Sequence, residues 1–169
     1  MTSDGNGELM KPWFLGLMAD VCRKRRQTDE GLTLVNEALE VVGKTGESFC
    51  EPELRRFKGE LTLQKFQVSG SKFRIATRRS RKSNTPHRAP NTQAEAEAKE
   101  CFLKAVETAR RQSAKSLELR AVMSLSRLWQ QQGKKKKKAR QMLAEIYGWF
   151  IEGFDIKDLQ EAKALLEEL

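Results

Sequence analysis

The chain has 169 residues, of which 38% are hydrophobic and 33% are charged, and its formal net charge is +9. This length and composition predict one soluble domain with a single core and argue against a disordered or fibrous chain. The N-terminus lacks the basic and apolar regions of a signal peptide. The apolar run from Trp13 to Cys22 is broken by Asp20 and is too short to span a bilayer. We therefore expect a cytoplasmic protein with no membrane partner.

The positive charge is concentrated in two segments. Residues 67–91 contain seven Lys or Arg and no acidic residue, and Lys134–Lys138 is a run of five lysines. Removing these seven and five charges from +9 leaves −3, so the rest of the chain is mildly acidic. The net charge alone is therefore weak evidence for an anionic partner, because only two local segments are basic.

The three cysteines, Cys22, Cys50 and Cys101, are widely separated and lie in or beside apolar periodic positions. Their number is odd, and none has the paired spacing with histidine or carboxylates that a metal site needs. We expect three reduced thiols that pack in the core of a cytoplasmic protein, with no metal and no cofactor.

Two helices are predicted near the N-terminus. Residues 1–9 are polar and contain glycine, so we expect them to be disordered. The first helix is predicted over Met10–Arg26, with Pro12 tolerated in its first turn. A turn near Gln27–Thr28 leads to a second helix over Asp29–Val42.

A third helix is predicted after a break at Gly43 and Gly46. It runs from Glu47 to about Gln67. Pro52 lies either in its first turn or moves its start to about Glu51.

Helical periodicity is lost from residue 68 to residue 90, which are rich in Ser, Arg and Pro. Gly59 and Ala98 are small residues on the two helices of one repeat, and they lie 39 positions apart. The equivalent residues of a 34-residue repeat lie about 12 positions apart, so about 27 residues are inserted. This composition favours a disordered basic loop at about 68–91. The alternative is an arm that binds nucleic acid or an acidic partner. Its candidate anion contacts are Lys72, Arg74, Arg78, Arg79, Arg81, Lys82 and Arg88.

The fourth predicted helix is Gln93–Gln112. Thr92 is its candidate N-cap, with Glu95 three residues later. The apolar side of this helix consists of Ala94, Ala98, Phe102, Ala105 and Ala109.

Residues 116–155 have the pattern of a helix, a tight turn and a second helix. Gly133 is predicted to close the first helix in the left-handed conformation. The second helix has one apolar line, and the lysine run falls on the turn and on the first positions of this helix. For that run a solvated turn is favoured over a docking patch. The two apolar lines are Leu117, Ala121, Leu125, Leu128 and Trp129, then Ala139, Leu143 and Ile146.

A final helix is predicted from about Ile156 to Glu168, with Asp155 or its neighbour as the N-cap. It would cover the open end of the helix stack, as terminal repeats require. Tyr147, Trp149 and Phe150 are interpreted as packing under this helix, in preference to forming a ligand cage. Its apolar face consists of Leu159, Ala162, Leu165, Leu166 and Leu169.

One layout of small and bulky residues occurs three times along the chain. Small residues let two helix axes approach closely, and a bulky residue one turn on fills the gap, as in the 34-residue tetratricopeptide repeat. The sequence therefore predicts an all-α, tetratricopeptide-like helix-pair solenoid of about three repeats in one domain over residues 10–169. The three copies are Ala19, Cys22, Arg26, Gly31, Val35 and Ala38; Gly59, Thr62, Ala98, Phe102 and Ala105; and Ser126, Trp129, Gly133, Ala139, Leu143 and Ile146.

Several strings of the sequence resemble one known kind of region. The segment AVETARRQSAKSLELRAVMSLSRLWQQQGK, followed by YGWF, EGFD and DLQEAKALLEEL, is similar to the C-terminal repeats of bacterial multidomain regulators related to class III adenylate or guanylate cyclases and to ATPase-type transcriptional regulators. The resemblance covers most of residues 10–66 and nearly all of 92–169, while the insert and the lysine run depart from it. It implies an α-helical repeat domain, a bacterial cytoplasmic origin and descent from the tail of a longer protein, and it carries over no catalytic residue.

Candidate catalytic groups are few. ALEVVGKT, residues 38–45, superficially approaches a phosphate-binding loop, but Ala38 replaces the first glycine and the segment ends a helix instead of following a strand. His87 is the only histidine and lies in the insert, so a His-based acid–base pair has no second member. We expect no enzymatic activity.

The predicted function is a protein–protein interaction scaffold that presents a groove to a protein or peptide. First-helix polar residues proposed for this groove are Arg55, Lys58, Arg120 and Arg127. One alternative is a nucleic-acid-binding protein that uses residues 68–90. Another is a truncated remnant without its own ligand, for which the sign would be an exposed apolar face on Trp13–Met18 and self-association through it.

Overall fold

A computed structural model describes the backbone of residues 5–77 and 92–169 and the side chains of residues 10–67 and 93–169. All regular structure within these residues is α-helical, which confirms the predicted fold class at that level. The described helices are α1 (Gly5–Lys24), α2 (Thr28–Thr45), α3 (Glu51–Thr77), α4 (Thr92–Arg111), α5 (Lys115–Gln131), α6 (Lys136–Tyr147) and α7 (Lys157–Glu168).

The helices pack as consecutive pairs. α1 packs on α2, α3 on α4 and α5 on α6, and the second helix of each pair also contacts the next helix in the chain. The first helices α1, α3, α5 and α7 touch one another in order, whereas α2, α4 and α6 make no mutual contacts among the described residues. The first helices therefore form the inner layer of the stack and the second helices form the outer layer. α7 packs on α5 and α6, where the first helix of a fourth pair would lie.

Two glycines lie where neighbouring helices touch. A methyl group on Gly59 would lie 2.5 Å from Cε1 of Phe102, and one on Gly31 would lie 2.9 Å from Cδ2 of Leu61. Phe102 and Leu61 are fully buried, so neither neighbour has open space to move into. The spacing of the sequence predicts small contact residues at both glycines, and the structure confirms them.

Three turns between consecutive helices share one geometry. After α5, Gly133 has φ 64°. Its N–H donates to the carbonyl of Gln130 at 3.0 Å, and the N–H of Lys134 donates to the carbonyl of Trp129 at 3.1 Å. These two bonds form a Schellman motif, so the predicted left-handed conformation of Gly133 is confirmed. Arg26 after α1 (φ 60°) and Ser113 after α4 (φ 56°) occupy the same position of the same motif. Two of the three turns therefore hold a residue with a side chain in a conformation that favours glycine.

We expect Ser113→Gly to raise the free energy of unfolding by about 0.5–1 kcal/mol, because glycine adopts positive φ without the steric cost of a Cβ atom. Urea denaturation of the variant and the wild type measures the difference. Ser116→Gly is the matched control, since Ser116 is an exposed residue in the first turn of α5, where glycine lowers stability. A loss of stability at both positions would show that Ser113 is not strained.

Glu118 joins α4 to α5 although it is almost fully buried. Its carboxylate accepts hydrogen bonds from Arg110 Nε at 2.6 Å and from Lys115 Nζ at 2.9 Å. Burial by itself raises the pKa of Glu118, but the hydrogen bonds from Arg110 and Lys115 outweigh it, and the pKa lies below its usual range. The carboxylate is therefore ionised in the folded protein at neutral pH.

The ion pairs of Glu118 should make stability depend on pH. Because the pKa is lower in the folded than in the unfolded chain, their contribution is present above the unfolded pKa and is lost as pH falls through the folded pKa. We expect Glu118→Gln to lower the free energy of unfolding by about 1–2 kcal/mol at neutral pH, and by progressively less as the pH falls below the usual glutamate pKa and through the lowered pKa of Glu118. Urea denaturation across this range measures it. Glu107→Gln, at an exposed position of α4, is the control, and a loss at Glu118 that stays constant with pH would refute the assignment.

The first helix begins earlier than predicted. Residues 5–9, predicted to be disordered, belong to the backbone of α1, and the helix passes through Pro12. Proline removes one backbone donor and disfavours helix in the preceding residue, so a start at Pro12 is the usual expectation. Here the proline is fully buried, and its ring contributes to the packing of the helix.

The break between α2 and α3 lies later in the chain than predicted. Gly43 lies inside α2, which ends at Thr45, and Gly46 (φ 76°) is its left-handed cap, with its N–H bonded to the carbonyl of Val42. α3 starts at Glu51, so the second of the two predicted starts, set by Pro52, is the observed one. Proline at the second position of a helix costs no hydrogen bond, which explains this start.

The insert is shorter at its N-terminal side than predicted. α3 continues past Gln67 to Thr77, so residues 68–77, predicted as loop, have a helical backbone. The loss of apolar periodicity in the sequence therefore does not mark the end of the helical backbone. Lys72 and Arg74 lie on this backbone. The other predicted anion contacts, Arg78, Arg79, Arg81, Lys82 and Arg88, and also His87, lie outside the described residues.

The C-terminal segment differs from the prediction in two details. Ile156 is the N-cap of α7 and no side chain caps this helix, while the backbone carbonyl of Asp155 accepts from Gln160 Nε2 at 3.0 Å. The N-cap is therefore the neighbour of Asp155, the second of the two predicted positions, and it makes no side-chain hydrogen bond to the helix. Phe150 packs against the core below α7, whereas Trp149 is exposed and meets Phe150 edge-on at 5.3 Å. The predicted apolar face of α7 is confirmed, since Leu159, Ala162 and Leu165 are buried and Leu166 and Leu169 pack beside them.

The lysine run lies at the turn between α5 and α6 and in the first turn of α6, as predicted. All five lysines are exposed. The ammonium groups of Lys135 and Lys138 lie 5.4 and 6.0 Å from the ring centroid of Trp129, so part of the run is held by cation–π contacts.

Among the residues that the structure describes, no helix has the length and apolar content needed to cross a membrane.

Candidate functional site

The inner layer of first helices carries a continuous strip of paired charges, which we call the polar strip. Its members on α3 recur at spacings of three and four residues, and so do those on α5, which places each set on one helix face. The polar strip consists of Asp20 and Arg23 on α1, Glu53, Arg56 and Glu60 on α3, Arg120, Ser124 and Arg127 on α5, and Asp158 and Glu161 on α7.

Arg56 is the centre of the polar strip. Its guanidinium donates to both carboxylate oxygens of Glu53, at 2.6 and 2.9 Å, and to Glu60 Oε1 at 2.6 Å. It also lies over the ring of Phe57, 4.7 Å from the centroid. Burial acts to lower the pKa of Arg56, but the hydrogen bonds and charges of Glu53 and Glu60 raise it above its usual value. The side chain is 12% exposed, so this arginine is a fixed, fully paired charge.

Arg23 extends the polar strip from α3 to α1. Its guanidinium lies 3.0 Å from Glu60 Oε2 and donates to Asp20 Oδ1, which also has Lys24 Nζ within 2.7 Å of its other oxygen. Burial raises the pKa of Asp20, but Lys24 and Arg23 together hold it below its usual range. Glu60 also accepts from Ser124 Oγ at 2.8 Å, which connects α3 to α5.

Arg120 and Arg127 extend the polar strip from α5 to α7. Arg120 Nε donates to Asp158 Oδ2 at 2.6 Å, and Arg120 Nη1 lies 3.6 Å from Glu53 Oε1 on α3. Arg127 Nη2 donates to Glu161 Oε2 at 2.8 Å. The side chains of Arg120 and Arg127 are 40% and 42% exposed, so the part of the polar strip on α5 and α7 is accessible to solvent.

The charges of the polar strip neutralise one another. Each of its four arginines pairs with at least one of its five carboxylates, and each carboxylate of the strip has at least one basic partner. A ligand that used these groups would therefore have to replace ion pairs between helices, which is easiest at the exposed pairs of α5 and α7. The pairs of Arg56 with Glu53 and Glu60 lie within α3, and the same two carboxylates contact the neighbouring first helices through Arg23, Ser124 and Arg120.

The structure separates the four predicted groove residues into two pairs. Arg120 and Arg127 lie on the polar strip. Arg55 and Lys58 do not, because each follows a strip residue of α3 by two positions, about 200° around the helix axis. Arg55 bonds to Glu51 at 2.6 Å, and the charges of Arg55 and Lys58 act on the Cys101 thiol of α4.

Sequence reasoning missed the acidic members of the polar strip and Arg56. Glu53, Arg56 and Glu60 are opposite charges at spacings of three and four residues, which is a recognisable signal for ion pairs on one helix face. The partners on other helices, such as Asp158 for Arg120, have no signal of this kind because they lie 38 positions apart.

The other candidate groups show no catalytic arrangement in the described residues. The three cysteines are free, and burial raises the pKa of the Cys22, Cys50 and Cys101 thiols, which lowers their reactivity. No cluster of three or more potential metal ligands occurs among these residues. The segment 38–45 that approaches a phosphate-binding loop is the C-terminal part of α2, so it has no strand-to-helix geometry around it.

A shallow groove of about 440 Å³ lies between the end of α6 and the outer side of α7. Its aromatic wall is formed by Tyr147 and Phe154, with ring centroids 5.8 Å apart, and Lys163 and Glu167 line the opposite side. The groove is wide open, which is typical of a surface depression.

Comparison of the chain with models of known families, with curated proteins and with solved structures finds no match.

Proposed function

We propose that the chain is a non-catalytic protein–protein interaction scaffold of the tetratricopeptide-repeat type. Three helix pairs, glycines at two helix contacts and one turn geometry used three times support this proposal. In such a stack the inner layer of first helices offers a rigid surface, and rigidity lowers the ordering cost of binding a peptide or another domain.

The partner surface is the part of the inner layer formed by α5 and α7, where the polar strip is exposed to solvent. The observation that carries this assignment is the exposure of Arg120 and Arg127, whose ion pairs with Asp158 and Glu161 are accessible, whereas the pairs around Arg56 are buried. A partner with carboxylates can bind these arginines in place of the α7 residues, and one with basic groups can bind the α7 residues.

We also propose that the chain is related to the regulatory tail of bacterial cyclase-type or ATPase-type regulators and acts in the cytoplasm. This rests on the sequence strings of residues 105–134 and 147–169. In that setting the natural partner is another signalling domain or protein.

Retention of proteins from a cell lysate on the immobilised chain tests the partner surface. We expect a discrete protein to be retained at near-physiological salt by the wild type and to be lost, at least about tenfold, with the double variant Arg120→Ala/Arg127→Ala. The matched control is Arg55→Ala/Lys58→Ala. It removes the same two charges from α3, on a side away from the polar strip, so a non-specific charge effect would be equal in both variants.

The same experiment separates the alternative functions. Equal loss in both double variants would refute the assignment of the surface to the polar strip. Retention of nucleic acid alone, lost at higher salt and on deletion of residues 78–91, would favour the basic insert instead. This deletion starts after Thr77, so it leaves the helical backbone of α3 complete. Retention of nothing by any version would favour a remnant without its own ligand.

A further inference from the structure

α1 exposes an apolar stripe on the side away from its neighbours. Five residues of this stripe follow the spacing of one helix face, and a tryptophan lies beside them. The buried residues of the same helix, such as Gly16 and Ala19, lie on the opposite face against α2 and α3. The α1 stripe consists of Met10, Phe14, Leu17, Met18 and Val21 with Trp13 beside them, and these residues are 40–59% exposed.

The equivalent side of the other first helices is covered. α3 packs against α1 and α2, and α5 packs against α3 and α4. α1 therefore has the apolar surface of a first helix within a stack, but no described helix lies against its stripe. The exposed face on Trp13–Met18 that the sequence predicts for a shortened stack is observed.

We propose that a second copy of this chain covers the α1 stripe, with the two α1 helices antiparallel about a twofold axis. The six side chains expose roughly 600 Å², the upper end of the largest apolar patch on a typical monomer. Phe49, which is itself exposed, enlarges the patch because it packs on Trp13 with ring centroids 6.0 Å apart. A specific interface buries about 800 Å² per partner, so this patch supplies most of what a dimer needs.

The charges of α1 favour the antiparallel arrangement. No charged residue occurs between Lys11 and Asp20, so the centre of the stripe meets only apolar residues. The last turn of α1 and the turn that follows it contain the basic sequence Arg23–Arg26, which lies about 14 Å from the middle of the stripe. An antiparallel pair keeps the two basic ends about 28 Å apart, well beyond the screening length, and a parallel pair would place them side by side.

At the opposite end of the stack the exposed apolar residues Trp149, Ile151, Phe154 and Ile156 lie in the segment before α7, whereas α7 itself is polar on its outward side. The outward residues of α7, which include Gln160, Lys163 and Glu167, are polar and exposed. An apolar stripe buried against them would leave these groups without water. Self-pairing of the α1 stripe about a twofold axis closes without forming a filament, whereas contact of the stripe with the apolar residues before α7 would continue head to tail. This inference does not depend on the proposed partner surface, which lies on α5 and α7.

Light scattering after size-exclusion chromatography of the 169-residue chain measures its mass. We expect a dimer at about 100 µM that dissociates on dilution, as mass action requires. A monomer at the highest concentration, or a series of growing oligomers, would overturn the proposal. Binding to lipid vesicles or to an added apolar helix by a chain that stays monomeric would overturn it too.

Charge substitutions locate the interface. Leu17→Glu should raise the dissociation constant of the dimer at least about 100-fold, because it places a charge in the desolvated centre. Ile151→Glu is the matched control at a site that is 90% exposed in the segment before α7, and it should leave the dimer unchanged. Circular dichroism of each variant shows that the fold is retained. A dimer that survives Leu17→Glu, or that is lost equally in the control, refutes the proposal.

A mixture of two variants tests the register. In an antiparallel pair centred on the stripe, Phe14 of one chain lies opposite Leu17 of the other. Phe14→Lys and Leu17→Glu should each give monomers alone, and an equimolar mixture should restore a heterodimer. Should the α1 variants fail to fold, wild-type dimer formation must still be abolished by a detergent below its denaturing concentration, and a dimer unaffected by it would argue for a polar interface.

Discussion

Replacing Arg56 with methionine should lower the free energy of unfolding by about 3 kcal/mol, because it removes one partner from a largely buried charge network. Glu53 would lose two hydrogen bonds, of 2.6 and 2.9 Å, and Glu60 would lose one of 2.6 Å. They would keep only the contact of Glu53 with Arg120 at 3.6 Å and those of Glu60 with Arg23 and Ser124. Methionine has a similar length and fills the space over Phe57, so the loss reports charge and not volume.

Arg55→Met is the matched control for this change. Arg55 is the preceding residue of α3 and pairs with Glu51 four positions earlier, on the more exposed side of the helix. Arg55 is 30% exposed and pairs with one carboxylate, whereas Arg56 is 12% exposed and pairs with two, so we expect a smaller loss at Arg55. Guanidinium denaturation is unsuitable because the salt screens charges, so urea is used for both variants. Equal losses at the two positions would mean that the charge network around Arg56 contributes no more than the single pair of Arg55 with Glu51.

The second large effect is expected at Gly59. Gly59→Ala should lower the free energy of unfolding by about 2 kcal/mol, although alanine favours a helix more than glycine does. The new methyl group would lie 2.5 Å from Cε1 of Phe102, and that ring is fully buried between α3 and α4. The two helices must separate or the ring must leave its position, and either change weakens the core.

Gly43→Ala is the control for the Gly59 variant. Gly43 also lies inside a helix, but it is exposed and a methyl group there meets nothing within 4 Å. We expect this change to raise the free energy of unfolding by about 0.5–1 kcal/mol, so the two glycine variants should have opposite signs. Urea denaturation gives both values. Stabilisation by both substitutions would show that α3 and α4 do not require a glycine at their contact.

Much of the helical framework could be predicted from the sequence because one physical signal defines it. On each helix the apolar residues recur at the spacing of one helix face. Phe102 on α4, Leu125 on α5 and Leu143 on α6 belong to such faces, and all three are fully buried. Gly133 and Gly59 were likewise predictable, since only glycine tolerates a positive φ or a close helix contact without cost. These signals are local, so they survive without knowledge of the fold.

The rest could not be predicted because it depends on the arrangement of whole helices. The left-handed turn residues Arg26 and Ser113 have no glycine to mark them. The groove prediction placed Arg55 on the same surface as Arg120. In the structure Arg55 pairs with Glu51 away from the polar strip, whereas Arg120 pairs with Asp158 of α7, and this difference depends on how α3 is oriented about its own axis. Pairing of Arg120 with Asp158 follows from the packing of α7 on α5, which no spacing in the sequence encodes.

The most direct test of the partner surface is photo-crosslinking in cells that produce the chain. A photoreactive amino acid at Gln131, an exposed residue one turn after Arg127 on α5, should yield a discrete crosslinked protein. The same group at Glu107, on the outer helix α4, should yield none. Crosslinking of the same protein from both positions, or only from Glu107, would contradict the proposal that the inner layer of first helices binds the partner.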